Sequence, residues 1–162
     1  MGGRLFEAAR RVYEGGGWPI SAMEGEDGFF VDVEGEDGAW SALVITDDTG
    51  LFAFYSVAPV TVDLADAEAI ARMAEFVDRA NYGLISSTFE FDRDDGEVRL
   101  RSGMEFTTLP PEIVTDEVLE AFVLDLSAAN VSVMNSYLTG LVTTVMGDRP
   151  VTEILADIEG ED

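Results

Sequence analysis

The sequence predicts an α+β fold built on a five-stranded antiparallel sheet, with elements in the order helix, three strands, helix, two strands, long helix. Three observations carry this. Asp-Gly turns punctuate short β-forming runs, residues 64–81 repeat apolar side chains at helical spacing, and residues 115–146 contain no proline and one glycine, Gly140.

Leu5, Phe6, Ala9, Val12 and Tyr13 form the apolar stripe of a short first helix, which Gly15-Gly16-Gly17 stops. Trp18 and Pro19 lead into a short extended piece, residues 20–23, not counted as a strand of the sheet. The phrase Glu-Gly-Glu-Asp-Gly then occurs twice, at 24–28 and 34–38, on either side of Phe29-Phe30-Val31-Asp32-Val33. Glycine tolerates the positive φ of a tight turn, so the second copy is expected to join strand 29–33 to strand 39–46. A third turn, Asp47-Asp48-Thr49-Gly50, delivers the chain into LFAFYSVAPV, the most apolar short run. Pro59 lacks the N–H a ladder needs and is expected to end that strand.

Asp63 is the expected N-cap of the second helix, which carries Ile70, Met73, Phe76 and Val77 on one side and closes at Asn81-Tyr82-Gly83. Residues 84–92 and 97–102 alternate apolar and polar side chains around the turn Arg93-Asp94-Asp95-Gly96, with Glu90 placed to pair with Arg99 or Arg101. Pro110-Pro111 breaks the chain. A helix over 115–146 would be on the order of 48 Å long, enough to lie across the sheet and project towards a partner. Residues 147–150 read as a linker, 151–158 as a short helix, and the end as an acidic tail. The whole, 1–162, reads as one domain, with its core at about 5–146 and an extension at 147–162.

Composition removes most chemistry. The 162 residues carry 33 acidic and 9 basic side chains, a formal charge of -24, and contain no cysteine or histidine. Every basic residue is arginine. Disulfides, thiolate nucleophiles, imidazole catalysis, Cys/His metal sites, Schiff-base lysines and Walker A clamps are therefore excluded by residue type. Such a surface repels phosphate backbones and anionic lipid headgroups, so neither nucleic acid nor membrane is expected as a partner. The N-terminus carries no targeting pattern and no run could span a bilayer, so a cytoplasmic protein is expected. Hydrophobic residues make up 47% of the chain, ample for a core.

The phrases Leu51-Phe52-Ala53-Phe54-Tyr55-Ser56, Pro59, Asn81, Phe89-Glu90-Phe91-Asp92 and Asp95-Gly96-Glu97-Val98-Arg99 resemble the YbjN family of bacterial proteins over roughly residues 5–146. The resemblance implies the α+β fold shared with type III secretion chaperones, a homodimer, and assignments such as sensory-transduction or stress-response regulator. It carries over no catalytic residue and no cofactor. One departure, Gly83-Leu84-Ile85-Ser86-Ser87-Thr88, stands where a Gly-Asn or Gly-Ser step directly before the phenylalanine is expected.

Candidate carboxylate chemistry is weak by pattern. Residues 92–97 look like a calcium loop, but glycine is fifth instead of sixth and position twelve is Gly103. The two Glu-Gly-Glu-Asp-Gly turns lie at opposite ends of one strand, and Asp47-Asp48 and Asp94-Asp95 fall in turns. The aromatic-rich meander is the stronger candidate, because Phe30, Leu43, Ile45 and Tyr55 leave apolar side chains for a second sheet face, the alternative set being Trp40, Ala42 and Val44. Either the helices cover both faces, the preferred outcome, or one face is a docking surface. The sequence thus points to a non-enzymatic, chaperone-like or regulatory homodimer that holds a segment of a protein or peptide partner on an apolar face or groove through Phe30, Leu43, Ile45 and Tyr55. The alternatives are an acidic regulatory module whose dimer buries its apolar surface, and a carboxylate-based divalent-cation site or hydrolase.

Overall fold

The computed structural model describes residues 2–110 and 112–160; Pro111 and the last two residues of the acidic tail lie outside them. The chain runs α1 (Gly2–Gly15), β1 (Ile20–Ala22), β2 (Gly28–Glu34), β3 (Ala39–Thr46), β4 (Leu51–Thr61), α2 (Ala67–Gly83), β5 (Thr88–Phe91), β6 (Glu97–Glu105), α3 (Asp116–Met146) and α4 (Val151–Glu159). The sheet is antiparallel, in the order β1-β2-β3-β4-β6-β5. It has six strands where five are expected, and the order becomes helix, four strands, helix, two strands, two helices. The additional strand is the extended piece after Pro19. Ile20 pairs with Val31 and Ala22 with Phe29, so the first Glu-Gly-Glu-Asp-Gly copy turns a hairpin just as the second does.

Three further expectations are corrected. The strand through LFAFYSVAPV continues past Pro59 to Thr61: the β3 ladder ends at Val57 and the β6 register shifts between Val57 and Thr61, so no partner strand claims a donor from Pro59. The cap of α2 is Asp66, whose side chain accepts from the N–H groups of Glu68 (2.9 Å) and Ala69 (3.2 Å), while Asp63 serves a turn upstream by accepting from Ala65 (2.9 Å). Strand 84–92 shortens to Thr88–Phe91. Ser87 joins Ser102 through their hydroxyls at 2.9 Å in place of a ladder, and Ile85 stands fully exposed.

All helices that meet the sheet do so on one face. Phe6 of α1 stacks on Phe29 with ring centroids 4.6 Å apart, Tyr13 and Trp18 approach Phe54, and Phe76 of α2 and Tyr137 of α3 meet Phe89. Thr115 caps α3, and Gly147 ends it in the left-handed conformation (φ 77°), its N–H bonded to the Thr143 carbonyl. At about 1.5 Å per residue this 31-residue helix is roughly 46 Å long, but its buried positions run from Leu119 to Thr144, so neither end projects as expected. Its one internal glycine has a packing reason. A Cβ on Gly140 would collide with Ile158 Cδ1 and come within 3.1 Å of Ile154 Cγ2, so the glycine lets α4 lie directly on α3.

Candidate functional site

The second face of the sheet has no covering element among the described residues. Strand alternation sends Phe29, Val31, Trp40, Val44, Phe54 and Leu100 under the helices, all nearly inaccessible, and sends their neighbours to the opposite side. The choice left open in the sequence is thereby decided. Trp40, Ala42 and Val44 belong to the core, and among the described residues no helix of this chain covers the other face.

All four residues singled out from the sequence lie together on the uncovered side. Phe30 of β2 stands opposite Leu43 of β3, Leu43 opposite Tyr55 of β4, and Tyr55 opposite Arg101 of β6. Ile45 sits one row away, opposite Ala53, and the row on the other side of Leu43 contains Asp32, Ser41, Val57, Arg99 and Glu90. Phe30 is 51% exposed, whereas Leu43, Ile45 and Tyr55 are half-buried by their neighbours on the sheet. The result is an apolar stripe running across the strands, bounded at the β6 side by charge.

That charged boundary was only half visible in the sequence. Glu90 spans two arginines, its Oε2 accepting from Arg99 Nε at 2.8 Å and its Oε1 from Arg101 Nε at 2.6 Å. Burial pushes the Glu90 carboxyl up, but the Arg101 and Arg99 guanidiniums outweigh it and hold the group below the usual carboxylate range. Arg99 also lies over the Tyr55 ring, 4.6 Å from its centroid. The cross-strand Glu90 pairings were legible from alternation; the Arg99–Tyr55 contact was missed, because it depends on the β4–β6 register, which joins strands separated by a helix.

The β5 edge beside this face is guarded. Asn81 at the end of α2 accepts from the Phe89 N–H at 2.7 Å and donates to the Phe89 carbonyl at 3.0 Å, occupying outward-facing backbone groups of the edge strand β5. An incoming strand is refused at that point. The sheet's other edge is the three-residue strand β1.

Carboxylate chemistry finds little support in the geometry. In the 92–97 turn, Asp92 and Asp95 spend side-chain oxygens on the N–H groups of Asp94 (2.8 Å) and Glu97 (2.9 Å). Asp47 accepts from the N–H groups of Leu51, Thr49 and Gly50 at 2.8 to 2.9 Å, and these bonds, with that from the Thr49 hydroxyl, hold its carboxyl below its ordinary range. The two Glu-Gly-Glu-Asp-Gly turns close opposite ends of β2. Among the described residues no group of three acidic side chains could share a metal ion. A cleft of about 750 Å³ between α2 and α4 contains Asp78 and Glu159, but Glu159 Oε1 accepts the Tyr137 hydroxyl at 2.8 Å. No helix among the described residues is long and apolar enough to cross a membrane.

No family model and no curated protein sequence matches the chain. Among solved structures it is similar to YbjN from E. coli, a candidate transcription regulator, with a TM-score of 0.54 and 12% identity over 82% of this chain and 89% of that one. It is also similar to a chain of the ExsC-ExsE complex, with a TM-score of 0.49 and 15% identity over 85% of this chain and 96% of that one. The fold that the phrases around Phe54 and Phe89 lead one to expect is the fold found: the chain has a YbjN-like α+β architecture.

Proposed function

We propose that the chain is a non-enzymatic protein-binding module, homodimeric and chaperone-like or regulatory in role, that holds a segment of a protein partner on its uncovered sheet face. One observation carries the reading: Phe30, Leu43, Ile45 and Tyr55 align on a face that no helix among the described residues covers. Antiparallel sheets usually turn polar side chains to water on their open side, so an apolar stripe there favours contact with another chain. The sealed β5 edge supports a face-on mode of binding. The YbjN-like fold and its type III secretion chaperone resemblance agree with such a role, although a shared fold hosts many activities.

The test is site-specific. A photo-crosslinking side chain at position 30 should capture a partner in cells, and the same probe on the exposed outer side of α3, at Leu124, should not. Light scattering should give twice the 17.5 kDa chain mass, unchanged in Phe30→Ser. Equal capture from both positions would defeat the proposal, and a monomeric Phe30→Ser would mean the face is the dimer seam instead.

A further inference from the structure

The uncovered face also carries information about the charge of what it binds, and the step that follows rests on the partner-binding reading above. We propose that its occupant is a cationic amphipathic segment of another protein, apolar side chains against the Phe30–Leu43–Tyr55 row and lysines or arginines towards the two ends of the strands.

The positive charges of the chain are already spent. Among the described residues, every arginine except Arg93 makes an ion pair with a carboxylate of this chain. The two on the open face, Arg99 and Arg101, share Glu90, Arg99 also pairs with Glu97 at 3.8 Å, and Arg99 is further engaged by Tyr55, so two guanidiniums face two carboxylates. They close the β6 side of the stripe as a neutralised cluster and present little net attraction for an acidic partner.

The carboxylates are distributed differently. Asp32 and Glu34 project from β2 on the same face, both exposed, and neither takes part in an ion pair among the described residues; Glu105 holds the corresponding position at the far end of β6. Beyond them the strand ends turn through acidic phrases: Glu24, Glu26 and Asp27 at the Gly28 end of β2, Glu36 and Asp37 at its Glu34 end, every one exposed. From Leu43 to either end of β3 is three or four residues, roughly 10–14 Å, so the apolar stripe lies within one or two Debye lengths of acidic rims at physiological salt. The chain carries -24 overall. A ligand satisfying both features is apolar in the middle and positive at its flanks.

A second copy of this chain is the poorer occupant. Two like faces related by a two-fold axis would bring both sets of acidic rims together across the stripe, so the two-fold contact of the dimer lies on another surface of the chain. Anionic lipid is refused on the same ground.

The probes are two amphipathic peptides of about 18 residues, roughly five helical turns, identical in their leucines and differing only in Lys or Glu on the polar positions. Binding is read by fluorescence anisotropy with the intact protein, Phe30→Ser/Leu43→Ser, and Asp32→Asn/Glu34→Gln, each confirmed folded by its melting curve. The Leu/Lys peptide should bind at least about tenfold tighter than Leu/Glu near 0.1 M salt, and the preference should shrink near 1 M, where the Debye length falls from about 10 Å to about 3 Å. Asp32→Asn/Glu34→Gln should weaken the Leu/Lys complex by roughly threefold to tenfold and flatten its salt dependence, while Phe30→Ser/Leu43→Ser weakens both peptides. Equal binding of the two peptides, both lost in Phe30→Ser/Leu43→Ser, would overturn the charge inference and leave the docking face standing. Leu/Lys binding indifferent to Phe30→Ser/Leu43→Ser would be diffuse adsorption to an acidic surface and would overturn both.

Discussion

The two faces of this sheet are made from the same strands, residue by residue in alternation, yet they obey different rules. On the helix side, Phe29, Phe54 and Phe89 are closed over by Phe6, Tyr13, Phe76 and Tyr137, and even polar groups are placed: Trp40 Nε1 donates to Ser56 Oγ at 2.9 Å, and Tyr13 and Ser127 join hydroxyls at 2.8 Å. On the other side, Phe30, Leu43, Ile45 and Tyr55 are equally β-forming, but Phe30 is exposed and the other three stay only partly buried, outside the core cluster. A folding requirement explains the first set fully. It does not explain the second, and that surplus of apolar surface is what makes the open face a functional candidate.

The largest losses of stability come from the covered side. Phe54→Ala removes a fully buried ring next to Tyr13 and Trp18 and should cost about 3–5 kcal/mol, seen as a lowered denaturant midpoint with an unchanged slope. Next comes Asn130, wholly buried on α3. Its Nδ2 donates to the Leu100 carbonyl and Ser102 Oγ, both at 3.0 Å, tying α3 to the sheet, while its Oδ1 has no partner among the described residues. Asn130→Ala should lose about 1–3 kcal/mol, because β6 acceptors are left without their donor in a dry interior. Amide exchange across β6 should rise with it, and an unchanged exchange rate there would show that Asn130 does not pin the layers.

How far each face could be read in advance follows from what local sequence records. Alternation in 97–102 is clean, and the Glu90 pairings with Arg99 and Arg101 follow from it. In 39–46, Trp40, Ala42 and Val44 compete with Leu43 and Ile45 on equal terms, so the chain is apolar in both directions and only tertiary contact selects the inside. The four candidate residues were legible as apolar surplus for a second face; which of the two faces the helices take was not. β1 escaped because three residues carry no periodicity, although the turn phrase after them repeats the one that correctly joined β2 to β3. Pro59 misled for a sound reason, since a proline does forbid a ladder bond, but no ladder is formed where it sits. Asp63 and Asp66 are equivalent as local capping signals, and the turn at Asp63 shifts the helix start downstream.

A smaller effect sharpens the charged boundary of the open face. Glu90→Gln should lower stability at neutral pH by only about 0.5–1 kcal/mol, given the solvent exposure of both arginines. The folded carboxyl titrates below its ordinary 4.5, so its contribution is present above that value and lost as pH falls through the folded pKa. Parent and variant should therefore converge in acid. A gap persisting there would mean the substitution acts through Arg99 packing on Tyr55 and not through charge.

The smallest expected change in stability is the most discriminating for function. Phe30 is 51% exposed and stacks on no aromatic ring among the described residues, so Phe30→Ser should change the unfolding free energy by less than about 0.5 kcal/mol, in contrast to the loss from Phe54→Ala. In the same variant, fluorescence of an environment-sensitive apolar dye should fall clearly, because the centre of the stripe is gone. The two measurements separate the faces by opposite responses: one residue supports the fold and hides from dye, the other supports little of the fold and presents apolar surface. If Phe30→Ser instead destabilised the protein by several kcal/mol in a concentration-dependent way, the open face would be buried in the working assembly, and the distinction between the two sides of the sheet would belong to the isolated chain alone.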